Sequence, residues 1–157
     1  MKPSINSRSK KILGWREWVA LPQLNIPGIK AKIDTGAKTS AIHAFRITPF
    51  EKDGENWVKF YVHPVQKYKA PEISCTSKIL EKRNITSSNG QRESRYVIQS
   101  LLKLGELNWP IQITLTNRDE MGFRMLLGRE AMCRRVLVDP AASYNLGTFN
   151  DSDFYPL

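Results

Sequence analysis

Apolar residues recur at every second position through most of this chain, and that period narrows the fold more than anything else. Ile29, Ala31 and Ile33 alternate with Lys30, Lys32 and Asp34, and Val58, Phe60 and Val62 alternate with Lys59 and Tyr61. Successive side chains of a strand point to opposite faces, so such runs predict half-buried strands rather than helices. Later, Tyr96, Ile98, Leu102 and Leu104 share a face, Gly105-Glu106 predicts a turn, and Trp109, Ile111, Ile113 and Leu115 share a face on the return. Trp15 to Leu21, Met125 to Leu127 and Val136 to Val138 read as further strands, the last halted by Asp139-Pro140. Pro22 to Pro27 reads as a turn-rich connection, and Gly128 to Arg134 as one or two helical turns. Many short strands at regular spacing predict an all-β fold, a closed or nearly closed β-barrel with one short C-terminal helix.

A chain of 157 residues suits one domain. Residues 1–14 read as a flexible basic arm carrying Lys2, Arg8, Lys10 and Lys11, residues 15–146 as the barrel, and residues 147–157 as a tail without periodicity. No run approaches the roughly 20 apolar residues of a membrane span, and no apolar segment follows the basic start as a secretory signal requires. Two cysteines, Cys75 and Cys133, make no disulfide framework, so the expected setting is the reducing cytoplasm. With 24 Lys and Arg against 15 Asp and Glu, the formal charge is +9, which attracts acidic partners and equally serves solubility.

The chemistry concentrates between Ile29 and His43, where an amphipathic strand ends in Asp34-Thr35-Gly36-Ala37. Gly36 permits a close backbone approach that a Cβ would block, and Thr35 can hydrogen-bond within the turn. Asp34 is then presented at a strand end among backbone donors. Taken alone, the tripeptide is equally an ordinary Asx-type turn. A second segment, Met125-Leu126-Leu127-Gly128-Arg129-Glu130, sets a buried apolar pair before a glycine and a helical turn.

In both places, in order and about ninety residues apart, the chain resembles the retropepsin-type aspartic proteases. It looks closely like their bacterial branch known as ATP-dependent zinc proteases, or as partners of the ribosomal-modification glutamate ligase. Trp18-Val19-Ala20-Leu21-Pro22, Ala31 to Ala41, Met125 to Arg129 and Val138-Asp139-Pro140 carry the likeness, which covers roughly Trp15 to Leu146. The resemblance implies that Asp34 is a catalytic carboxylate, that Thr35 ties two active-site loops together, and that Gly36 lets a substrate backbone pass. Two neighbouring carboxylates share one proton and divide acid and base duties. With one Asp-Thr-Gly in the chain, the resemblance implies a homodimer acting as an aspartic endopeptidase on peptide or protein substrates.

The polar stretch Ile85 to Arg95, with Asn89-Gly90 at its tip, reads as a flap over the cleft or as a plain surface hairpin. Ala37, Lys38, Thr39, Asn89, Gly90 and Arg129 are the expected substrate contacts. Lys38 stands where viral enzymes carry an acid, so Lys38 and Arg129 as unpaired cations favour acidic or glutamylated substrates. No cofactor or metal is expected: His43 and His63 lack the zinc-protease helix spacing, and no P-loop precedes Lys38. The resemblance implies that ATP use resides in a glutamate-ligase-type partner. The alternative is a noncatalytic basic β-barrel binding RNA or an acidic protein through Lys30, Lys32 and Lys38, with Trp57, Phe60 and Tyr61 as stacking platforms if they face outward.

Overall fold

The computed structural model describes residues 10–87, 89–118 and 122–157. Its strands are β1 (Lys11–Leu13), β2 (Arg16–Leu21), β3 (Ile26–Asp34), β4 (Ser40–His43), β5 (Phe45–Lys52), β6 (Glu55–Val62), β7 (Ile73–Lys78), β8 (Glu81–Thr86), β9 (Arg92–Leu104), β10 (Leu107–Thr116), β11 (Met125–Gly128) and β12 (Val136–Val138). Helix α1 (Arg129–Met132) follows β11, and 3-10 turns occupy Pro22–Leu24 and Asp151–Asp153.

Alternation places the core. Ile29 and Ala31 are fully buried and Ile33 nearly so, whereas Lys30, Lys32 and Asp34 between them are half-buried. β6 likewise buries Val58, Phe60 and Val62 and turns Trp57, Lys59 and Tyr61 to the other side. Phe60 is therefore a core residue and no stacking platform. The β9–β10 hairpin pairs Leu104 with Leu107, Leu102 with Trp109 and Ile98 with Ile113 around Gly105, whose φ is +60°.

The expected closed barrel does not form. The strands fall into three sheets of two, seven and three, and the seven-stranded sheet runs β10-β4-β11-β3-β2-β9-β8. It curls until β9 lies beside both β10 and β2, yet β2 meets β9 through one residue pair, Ala20 with Lys103. The β2–β3 ladder shifts register between Val19 and Leu21, where three steps on β3, from Ile26 to Ile29, face two on β2. A bulge of this kind bends and twists a sheet, which here curves round to β9 with one residue pair in place of a full ladder. β5, β6 and β7 stand apart as the three-stranded sheet.

Both ends of the described chain join this core. Lys11–Leu13, assigned above to the arm, pairs in parallel with Val136–Val138 and buries Leu13 completely. At the other end Phe149 and Phe154 pack on Trp18, with ring centroids 6.3 and 5.3 Å away, and the Tyr155 hydroxyl donates to the Gly28 carbonyl. A Cβ on Gly28 would lie 2.5 Å from the Phe154 ring, so glycine is what lets the tail seat on β3.

Glu17 holds the next layer. Its carboxylate is fully buried and accepts from the amides of Gly14 at 2.6 Å, Asn145 at 2.9 Å and Leu146 at 3.2 Å. One acid on β2 thus gathers three backbone donors from opposite ends of the chain. Charge-assisted bonds of this kind are the strong ones, and a buried donor without its acceptor is costly. In Glu17→Gln an amide NH2 faces those donors; we expect a loss of about 2–3 kcal/mol, read from urea unfolding.

Burial also sets the alkaline limit. It pushes the Tyr155 phenol from 10.0 up to about 12, with the Gly28 hydrogen bond opposing, and the Cys75 thiol from 9.0 up to about 12. The fold favours the protonated form of each, so their contribution is complete below the unfolded values and is lost as pH rises toward 12. Urea midpoints should therefore decline as pH is raised above about 9, and Tyr155→Phe should remove the share of that decline arising above about 10.

Candidate functional site

Asp34 is the last residue of β3 and lies opposite Gly128, the last of β11, in a parallel pairing. The two strand ends therefore open on the same side, and residues 35–39 leave β3 facing the start of α1. Asp34 Oδ1 accepts from the amides of Gly36 at 2.9 Å and Ala37 at 3.2 Å. The carboxylate thus closes its own turn, as an Asx motif does. Thr35 and Gly36 are exposed, while Ala37 and Thr39 are half-buried.

The loop is held from the α1 side by backbone groups. Arg129 N–H donates to the Ala37 carbonyl at 2.8 Å and Glu130 N–H to the Lys38 carbonyl at 3.1 Å. These are first-turn amides, which have no acceptor within their own helix. The Arg129 guanidinium reaches back to the Gly36 carbonyl at 3.1 Å. Beneath, the buried Ser40 hydroxyl accepts from Gly128 N–H at 3.0 Å, and the Ser40 carbonyl accepts from the Thr114 hydroxyl at 3.0 Å. Among the described residues, Ser40, Arg129 and the amide of Glu130 tie the Asp34 loop to the Gly128 segment. The one legible signal for Ser40 is a small polar residue starting the strand after the Asp34 turn.

Lys38 is not an unpaired cation. Its ammonium lies 3.7 Å from Glu130, with the two side chains 68% and 47% exposed. A pair so exposed contributes about 0–1 kcal/mol and exchanges readily for another anion. Lys38, Arg129 and Glu130 thus form one surface cluster beside Asp34. Lys32, two residues before Asp34 on the same face of β3, adds a cation about 7 Å along the strand.

Asn89 and Gly90 belong to another turn. They cap the β8–β9 hairpin, where Ser87 N–H donates to Gln91 O at 2.8 Å, Gln91 N–H to Asn89 Oδ1 at 3.1 Å, and Gly90 takes φ +85°. Among the described residues no hydrogen bond or ion pair joins them to the Asp34 loop, and Ser88 between them and β8 lies outside the description. Cys75 is a packed thiol donating to the Leu24 carbonyl at 3.3 Å. Among the described residues, no three His, Cys, Asp or Glu side chains gather as a metal site would need.

Residues 12–147 match the RimB-like family, whose description is retropepsin-like aspartic endopeptidase RimB. A probable alpha-L-glutamate ligase of Shewanella halifaxensis (strain HAW-EB4) is 53% identical over 145 residues, 92% of this chain and 32% of that protein. Another, from Parasynechococcus marenigrum (strain WH8102), is 54% identical over 138 residues, 88% of this chain and 30% of that protein. The chain thus spans about a third of the length of the curated relatives it matches. A crystal structure of a Legionella pneumophila protein of unknown function is 31% identical, with a TM-score of 0.76 over 88% of this chain and all of that one.

These relatives correct the expected reaction. The resemblance implied an aspartic endopeptidase of the so-called zinc protease branch, whereas the curated proteins at 51–54% identity are named as ligases. The homodimer expected above was inferred from the acid dyad of that peptidase and loses its premise with it. No helix among the described residues is long and apolar enough to cross a membrane.

Gly128 is the tightest point of the site: a Cβ there would lie 2.7 Å from the Thr39 carbonyl carbon and 3.0 Å from Ala37 O. Backbone cannot yield as a side-chain tip does. Gly128→Ala should therefore cost about 1–3 kcal/mol in urea unfolding, and Ser40→Ala, which only unpairs one buried amide, about 1 kcal/mol.

Proposed function

The chain belongs to the RimB-like family, and from that footing we propose that it works in α-L-glutamate ligation, as the part that holds the acidic glutamyl chain. One observation carries this reading: nine-tenths of the chain is 51–54% identical to about a third of proteins named probable alpha-L-glutamate ligase. A segment kept that similar within such a protein works beside its reactants or products. Poly-α-glutamate is a dense polyanion, and this chain carries a formal charge of +9. Two free thiols, Cys75 and Cys133, suit action in the reducing cytoplasm.

Within the site, Lys38, Arg129 and Lys32 take glutamate carboxylates, with Glu130 exchanged for the ligand at Lys38. Asp34 has Oδ1 engaged by its loop, which leaves its other oxygen to accept an N–H of the peptide backbone. Thr35, Gly36, Ala37 and Thr39 line the path. The exposure of Gly36 lets an extended chain lie against the loop without meeting a Cβ.

The test is fluorescence anisotropy with labelled deca-α-L-glutamate. The wild-type chain should bind, affinity should fall as salt is raised through about 0.1 M, and Lys38→Glu with Arg129→Glu should weaken binding about tenfold or more. The reading is overturned by absence of binding at low salt, or by binding indifferent to both substitutions. It is equally overturned if mass spectrometry finds the oligomer hydrolysed by the wild type and intact with Asp34→Asn.

A further inference from the structure

On the far side of α1 lies a second basic site. Lys10, Lys11, Arg134 and Arg135, with Asn108 and Trp109, line a cavity of about 320 Å³ to which no carboxylate of the described residues contributes. None of the four cations has an ion-pair partner among the described residues. The pocket is assembled from three parts of the chain: the start of β1, the turn after α1 and the β10 strand. Its cations come from the first two of these. Parallel pairing of Lys11 with Val136 fixes the first against the second, and Arg135 N–H donates to Met132 O at 2.9 Å, which sets the direction in which the arginines leave α1. Four like charges converging on one concavity repel one another until an anion enters.

We propose that this pocket is a distal subsite for carboxylates of the same glutamyl chain, so that a long chain is gripped on both sides of α1 and a short one on one side only. The inference rests on the reading above. Its geometry is basic groups at both ends of one short helix: Arg129 stands at the first position of α1 beside the Asp34 loop, and Arg134 and Arg135 follow its last turn. α1 is four residues long, a rise of about 6 Å, so an extended chain of ten glutamates, about 33 Å in reach, spans both of its ends, whereas a single glutamate does not. Guanidinium groups hold carboxylates in a bidentate fork, and the Asn108 amide can meet a peptide bond as donor and acceptor.

Nucleic acid fits the pocket less well. Among the described residues its one ring, Trp109, is 6% exposed and its indole N–H donates to the Ala131 carbonyl at 2.9 Å. The Arg135 guanidinium lies 5.1 Å from the ring centroid. No aromatic face is left for a base to stack on, which is how single strands are held.

The experiment measures binding of labelled deca-α-L-glutamate and of a single labelled glutamate to the full chain carrying Arg134→Ala with Arg135→Ala, both at exposed positions. We expect the deca-glutamate affinity to fall about tenfold or more and the single-glutamate affinity to change less than about twofold, with the thermal midpoint unchanged. Lys38→Glu with Arg129→Glu should weaken both ligands. Equal weakening of both ligands by the arginine pair, or no effect on either, overturns the distal subsite while leaving the Asp34 site intact. Loss of all oligoglutamate binding in the wild type would instead defeat the proposed function. Displacement of deca-glutamate by a single-stranded RNA of equal charge at lower concentration would overturn the carboxylate assignment.

Discussion

The contact between Gly128 and the backbone of residues 37–39 is the constraint on which the site depends. There is no room for a Cβ at that point, and the space it would fill is taken by main chain. Because the approach is so close, the first amides of α1 reach the carbonyls of Ala37 and Lys38 directly. A helix of four residues has little stability of its own, since nucleation fixes several dihedrals for one bond. α1 persists because the Asp34 loop supplies acceptors for amides it cannot satisfy itself. The loop in turn keeps its shape because those amides and Arg129 hold the carbonyls of Gly36, Ala37 and Lys38, and the Asp34 carboxylate holds the amides of Gly36 and Ala37. Strand end, turn and helix start are therefore one cooperative unit.

A second unit secures the first. Glu17 draws backbone from residues 14, 145 and 146 onto β2, and Arg16 beside it lies between Trp15 and Tyr144, 4.6 and 4.8 Å from the two ring centroids. The tail then continues over Trp18 and Gly28. These contacts cover the outer side of β2 and β3, the strand pair whose far end presents Asp34. The same layer brings β1 against β12 and so places Lys11 beside the turn that carries Arg134 and Arg135. Anchoring of the chain ends and formation of the basic pocket are two results of one packing arrangement.

Much of this was legible from period alone. The alternation in β3 and β6 and the face shared by Ile98, Leu102, Trp109 and Ile113 were readable because a strand buried on one side must repeat every second residue. The segments Asp34–Gly36 and Gly128–Arg129 were readable as partners, through their likeness to known aspartic proteases. What they do was not: the same turn serves a hydrolase or a binding loop, and relatives named as ligases overturned the peptidase expectation. β5 and β7 escaped notice because their faces are mixed, with few fully buried positions and many exposed ones. β1 was hidden by its charge, since Lys10 and Lys11 look like an arm until Leu13 is seen in the core.

From the sequence by itself follow the class of the fold, the inward-facing residues of its main strands, the position of the Asp34 turn and the excess of positive charge. These are local properties, written in the spacing of side chains along a few residues. Tertiary structure alone decided that the sheet bends round without closing, because the single Ala20–Lys103 pair between β2 and β9 joins strands far apart in the chain. It alone placed Glu130 against Lys38, Ser40 under Gly128, and four cations from distant segments around one cavity. Each of these depends on distances between residues far apart in the chain, and no periodicity records those.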